Sequence, residues 1–216
     1  MAAVKEPPAK VDDHRVAAPL GSRQNLETLR EAAMNCRACP LWRGATQTVF
    51  GEGDPHAALF VVGEQPGNSE DLEGHPFIGP AGRLFESAVN AAGLQREQLY
   101  VTNAVKHFKW ELRGKRRLHK TPIQKEIEAC HPWLETELKL VSPRVVLCLG
   151  ATAARAILGG PIRIGEHRGK AISLEDRQVV VTIHPAYVLR LRGAEAQNAL
   201  EMLAADTALA VKLSAA

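Results

Sequence analysis

The run Lys115-Arg116-Arg117-Leu118-His119 sets an imidazole at the end of three cations. Such a histidine can act as nucleophile, general base or phosphate contact, because neutral imidazole carries an available lone pair near neutral pH. From Lys106 to Lys120 seven residues are basic (Lys106, Lys109, Arg113, Lys115, Arg116, Arg117 and Lys120) and one, Glu111, is acidic, with His107, Phe108 and Trp110 interleaved. Cations track a phosphate backbone and aromatic rings stack on bases, so the composition suits nucleic acid. A solvated loop is the alternative reading of such a charge run.

Three more polar groups stand out. Gly63-Glu64-Gln65-Pro66-Gly67 combines a carboxylate and an amide with glycines that permit close backbone approach. Asn103 offers a donor and an acceptor on one amide, and His184-Pro185-Ala186-Tyr187 opens on a second histidine.

Cys36, Cys39, Cys130 and Cys148 are the only cysteines. The two-residue gap between Cys36 and Cys39 lets both thiolates reach one metal centre, while Cys130 and Cys148 must be brought in by the fold. Zinc and an iron–sulfur cubane both accept four thiolates, and spacing alone does not separate them. A zinc ribbon usually shows a second close pair, which is missing here, so the set inclines to iron–sulfur.

The rest of the chain must position these groups. Four short apolar runs rich in β-branched residues, 58–63, 99–105, 145–150 and 179–183, have the pattern of strands covered on both faces. Helical stretches are expected at 81–92, 122–140, 151–158 and about 194–213, with a short helix over 25–33 capped by Asn25. Alternating strand and helix predicts a parallel sheet with helices on both sides, whose ligand site lies beyond the carboxyl ends of the strands. The loops directly after the first, second and fourth runs are the ones that carry Glu64, Asn103 with the basic stretch, and His184.

A net charge of +3 and an isoelectric point near 8.7 are only mildly basic and assign no partner by themselves. Residues 1–24, rich in Ala, Pro, Lys and Asp with no apolar period, read as a flexible tail, and 25–216 as one domain. With no membrane-length apolar run and no signal-like h-region, a soluble cytoplasmic protein is expected, and with no evident dimerisation surface, a monomer.

In combination, Cys36-x-x-Cys39-Pro40-Leu41, Gly63-Glu64-Gln65-Pro66-Gly67, Asn103, the wide-set Cys130 and Cys148, and His184-Pro185-Ala186 resemble the iron–sulfur (family 4-like) uracil-DNA glycosylases. The resemblance runs from about Asn25 to the C-terminus. Gln65 and Lys115-Arg116-Arg117-Leu118-His119 resemble the cross-linking branch, often called UdgX. Leu118 stands where that branch usually has Ile, and Asn68 where it commonly has Asp, with Asp71 close by.

The resemblance implies a three-layer α/β/α sandwich around a four-stranded parallel sheet and a 4Fe-4S cluster on Cys36, Cys39, Cys130 and Cys148. It also implies action on deoxyuridine in single- or double-stranded DNA, with free uracil as product. The base would be flipped into a pocket formed by Gly63, Gln65, Asp71, Phe77 and Asn103. There Asn103 matches uracil O4 and N3–H, and Phe77 stacks on the ring. His184 would stabilise the departing uracil at O2, and Lys115, Arg116, Arg117 and Lys120 would lie on phosphates. Glu64 would activate His119, which bonds to the sugar carbon. A turnover glycosylase with His119 on phosphate, and a non-catalytic zinc-stapled nucleic-acid-binding module, are the competing readings.

Overall fold

The computed structural model describes residues 25–174 and 176–216; the expected tail over 1–24 lies outside the described residues. In chain order the elements are α1 (Leu26–Ala33), β1 (Glu52–Gly53), β2 (Leu59–Gly63), α2 (Asn68–Glu73), α3 (Pro80–Ala91), β3 (Leu99–Asn103), β4 (Trp110–Arg113) and β5 (Arg116–His119). They continue with α4 (Gln124–Val141), β6 (Val145–Leu149), α5 (Ala151–Leu158), α6 (Ile164–His167), β7 (Ala171–Leu174), β8 (Arg177–Thr182), α7 (Pro185–Val188) and α8 (Gly193–Ser214). Asn25 caps α1 as its residue type suggests, taking the Thr28 amide at 2.9 Å on its side-chain oxygen.

The four apolar runs become β2, β3, β6 and β8, all parallel to one another. The sheet has six strands rather than four, in the order β1-β3-β2-β6-β8-β7. Both additions are antiparallel edges, β1 on β3 and β7 on β8. They are short and partly exposed, so they lack the two-sided apolar pattern that marks the central strands.

Alternation along β2 shows how the layers are glued. Phe60 and Val62 join a cluster with Leu29, Trp133 and Leu134 on one face, while Leu59 and Val61 meet Phe85, Val89 and Ala210 on the other. Each such side chain, fully buried, contributes roughly 1.5–3 kcal/mol. The result is an α/β/α sandwich with α1, α4 and α5 on one side and α3 and α8 on the other. No described helix is long and apolar enough to cross a membrane.

The basic stretch is not a loop. Residues of β4 and β5 pair antiparallel, from Trp110 opposite His119 to Arg113 opposite Arg116, and Gly114 turns the chain at φ 62°. The hairpin stands beyond the carboxyl end of β3, with His119 at its base.

Candidate active site

A cleft of about 570 Å³ opens at the carboxyl ends of the parallel strands, lined among others by Glu64, Gln65, Phe77, Asn103, His119 and His184. Residues up to 120 positions apart thus meet because β2, β3 and β8 all end on one edge of the sheet.

One wall has the features of a planar-ring slot. Asn103 is buried at the end of β3, and among the described residues its side-chain amide has no hydrogen-bond partner. Gly63 sits beside it in the parallel register, and a β-carbon there would strike the Asn103 amide oxygen and come within 2.7 Å of Phe77 Cζ. Glycine therefore lets both groups approach the strand end. Phe77 adopts φ 63°, a left-handed conformation costly for an aromatic residue, and a β-carbon on Gly82 would strike its carbonyl. The surrounding packing, including Phe85 at a ring distance of 5.9 Å, holds the ring in place.

The same lining carries titratable groups. His184 Nδ1 accepts the Ala186 amide at 3.1 Å, so in the neutral ring the proton resides on Nε2 and that nitrogen is a donor. Burial pushes the His184 pKa down to about 4, opposed by the nearby Glu64 charge, and the ring stays neutral at ordinary pH. Glu64 Oε1 lies 3.2 Å from His119 Nε2, and Glu64 Oε2 accepts the Thr152 hydroxyl at 2.5 Å. Burial raises the Glu64 carboxyl, but the hydrogen bonds from His119 and Thr152, with a contribution from the His119 charge, outweigh it, leaving its pKa below the usual value. The site so holds an ionised carboxylate, an exposed imidazole against it, and a neutral imidazole donor.

Gln65 lines the cleft, but its amide is engaged elsewhere. Its Nε2 donates to the carbonyls of Lys109 and Lys120 at 3.1 and 3.2 Å, and its Oε1 accepts the Lys109 amide at 3.1 Å. It clamps the base of the hairpin, where the sequence suggested a contact to substrate. Asp71, expected in the base pocket, is fully buried away from the cleft lining and receives Arg117 Nη1 at 2.6 Å and the Thr46 amide and hydroxyl at 2.9 and 2.7 Å. Arg117, expected on phosphate, is committed inward to Asp71 and to Asn68 Oδ1 at 2.8 Å, and packs over Phe108 and Trp110. Asn68 thus serves as a neutral acceptor for the guanidinium.

The basic run divides accordingly. Lys106 is buried against Glu137, Lys109 pairs with Glu126, and His107 is buried against Thr48. Arg113, Lys115 and Arg116 at the hairpin tip are exposed, as is Lys120, which pairs with Glu111 at 3.0 Å. Sequence reasoning missed Thr152 and Arg190. Arg190 lines the cleft from the loop after His184, and an arginine six residues after that histidine was its available signal.

The four cysteines are buried, not disulfide-bonded, and belong to one apolar cluster on the α4 side of the sheet. Cys36 and Cys39 follow α1, Cys130 lies on α4 and Cys148 on β6. Trp133 Nε1 donates to Cys36 Sγ and the Lys106 amide to Cys130 Sγ, each at 3.2 Å, interactions that favour negative charge on sulfur. Burial pushes the Cys39 thiol up to about 11 and Cys130 up to about 12, so these sulfurs ionise at neutral pH only when bound to a metal. Among the described residues, no group of three or more His, Cys, Asp or Glu side chains closes around a point that one metal ion would fill.

Comparison with known proteins completes the picture. A family model described as the uracil DNA glycosylase superfamily matches residues 50–207. A type-4 uracil-DNA glycosylase of Thermotoga maritima is 36% identical over 172 residues, covering 79% of this chain and 86% of the relative. A type-4 uracil-DNA glycosylase of Pyrobaculum aerophilum is 35% identical over 189 residues, covering 82% and 92%. A type-5 uracil-DNA glycosylase of the same organism is 30% identical over 152 residues, covering 62% and 63%.

Proposed function

The chain belongs to the uracil DNA glycosylase superfamily, and we propose that it excises uracil from DNA and captures the resulting abasic sugar covalently through His119. The observation that carries the second half is the approach of His119 Nε2 to Glu64 Oε1, 3.2 Å apart at the mouth of the cleft that also holds Asn103, Phe77 and His184.

In this reading a flipped uracil enters the slot beside Gly63. Asn103 donates to O4 and accepts from N3–H, a pattern that cytosine reverses, and Phe77 stacks on the ring. The bond between sugar C1′ and uracil N1 breaks with its electron pair leaving on uracil. His184 Nε2–H receives the developing charge at O2; loss of one such donor typically costs on the order of a hundredfold in rate. The lone pair of the His119 nitrogen not engaged by Glu64 then bonds to C1′, and the proton on the engaged nitrogen passes to the Glu64 carboxylate. Charge balances: the carboxylate is neutralised and the uracil anion departs to take a proton from solvent. An alkylated imidazole is a poor leaving group, so each molecule acts once.

Cys36, Cys39, Cys130 and Cys148 would hold a 4Fe-4S cluster with a structural role. A cubane asks its four sulfurs to surround a body rather than meet at a point, and the buried thiols with their N–H donors suit that demand. Anaerobically purified protein should be coloured, with broad absorbance near roughly 400 nm; full-occupancy zinc instead would remove the cluster from this reading.

The decisive experiment is a denaturing gel with a uracil-containing oligonucleotide. A retarded band that survives heat and detergent, and that His119→Ala abolishes while uracil is still expelled, is the expected result. Free abasic product from the unsubstituted protein would favour turnover chemistry, with His119 as a phosphate contact.

A further inference from the structure

Thr152 is the second residue of α5 and lies behind the cleft, outside its lining, with 8% of its surface exposed. Its hydroxyl proton is directed to Glu64 Oε2 at 2.5 Å, while the other oxygen of the same carboxylate faces His119 Nε2 at 3.2 Å. A carboxylate at the end of a glutamate side chain turns readily about its last torsion. A hydrogen bond on one oxygen removes that freedom and aims the other. The support behind Thr152 is rigid: Gly150 adopts φ 92° between β6 and α5, and its amide donates to the Thr182 carbonyl at 2.9 Å. The hydroxyl is therefore referenced to the sheet itself, not to a surface loop.

We propose that Thr152 is a positioning residue, the third member of a Thr152–Glu64–His119 relay, whose hydroxyl holds the Glu64 carboxylate in the orientation that engages His119. The inference rests on the capture chemistry proposed above and adds a residue to it. The charged or titratable groups facing Glu64 are His119 from the hairpin, which favours the ionised carboxylate, and His184 from the loop after β8, which adds to this only once it is protonated at about pH 4. The Thr152 bond favours it too. Losing that bond should raise the carboxyl's pKa, so any step that needs the carboxylate begins to fail at a higher pH.

The test compares Thr152→Val, which keeps the shape and removes the hydroxyl, with Thr152→Ser, which keeps the hydroxyl and removes the methyl. Adduct formation and uracil release are followed together in single turnover across pH. In Thr152→Val, adduct formation should slow by about tenfold or more, the scale of one hydrogen bond to a charged group. Uracil expulsion should change less, and the acidic limb of adduct formation should move to higher pH. Thr152→Ser should restore both. A wild-type rate and an unmoved acidic limb in Thr152→Val would overturn the proposal, as would a serine variant as slow as the valine one. If the unsubstituted protein releases uracil without any adduct, the capture reading fails separately. The same two variants are then judged by the acidic limb of uracil release, where a shift in Val that Ser reverses upholds the relay and no shift refutes it.

Discussion

Arg117 and Asp71, 46 residues apart in the chain, meet at 2.6 Å and fix the hairpin that carries His119 to the body of the protein. The carboxylate is fully buried and the arginine side chain largely so, at 18% exposure. Removing one partner leaves an uncompensated charge in a poorly solvated place, which typically costs about 3 kcal/mol or more.

Asp71→Ala should therefore lower the unfolding free energy by roughly 3 kcal/mol and reduce adduct yield through a displaced hairpin. Urea denaturation with the gel assay on the same preparation checks this. Full stability and full yield in Asp71→Ala would show that the pair does not anchor the hairpin.

The exposed tip behaves differently. Lys115→Ala or Arg116→Ala should leave stability unchanged and flatten the dependence of binding on salt. Each lost phosphate contact lowers the slope of log affinity against log salt by about 0.7 on single strands and 0.9 on duplex. Fluorescence titrations of a labelled oligonucleotide at several salt concentrations measure the slope directly. An unmoved slope would mean that the tip stands clear of DNA.

These two outcomes mark what was legible in the sequence. Charge density alone marked Lys106 to Lys120 as one surface, yet Lys106 is held inside by Glu137 and Arg117 by Asp71, partners 31 and 46 residues away. No local pattern reports a partner at that distance. The hairpin had a local signal in Gly114, whose positive φ makes the turn, but the cations around it masked the alternation of β4 and β5. The parallel strands were legible because burial on both faces demands continuous apolar runs such as Val145–Leu149. Given those strands, the rule that sites lie beyond their carboxyl ends places Glu64, Asn103 and His184 on one edge from the sequence alone. Gln65 was named for its motif, and its task as a clamp on Lys109 and Lys120 depends on where the hairpin folds back.

His184 makes a prediction about pH. Burial first, and the neighbouring positive groups after it, hold its pKa near about 4 against the pull of Glu64. Its donor form is the neutral one, so acidification harms it only when the pH approaches that value. In His119→Ala, where capture no longer contributes, uracil release should stay level from pH about 8 to about 5 and fall towards about 4. His119→Ala also removes the hydrogen bond and charge that help to lower the Glu64 pKa, but in this reading Glu64 serves capture and not release. Stability follows the same sign. An unfolded chain takes up a proton on this histidine below its ordinary pKa of about 6.5, so the folded state loses ground between there and about 4. A fall in release centred near pH 6.5 would show that His184 titrates as an ordinary exposed histidine.

Gly63 gives the sharpest structural test, because one methyl group separates two readings of the slot. A β-carbon there meets the Asn103 amide oxygen and lies 2.7 Å from Phe77 Cζ, with no intervening space. Both neighbours are side chains, so the backbone can accept alanine by displacing them. Displacement of either one spoils the site: Asn103 loses its alignment with a base edge, and Phe77, already at φ 63°, has little freedom to retreat. Gly63→Ala should fold, with destabilisation of roughly 1–3 kcal/mol from overpacking, and should lose uracil release by at least about a hundredfold, as misplacement of reacting groups by an ångström does. Circular dichroism and urea denaturation establish the fold, and single-turnover uracil release reads the chemistry. Near-normal release from a folded Gly63→Ala protein would mean that uracil does not bind between Asn103 and Phe77.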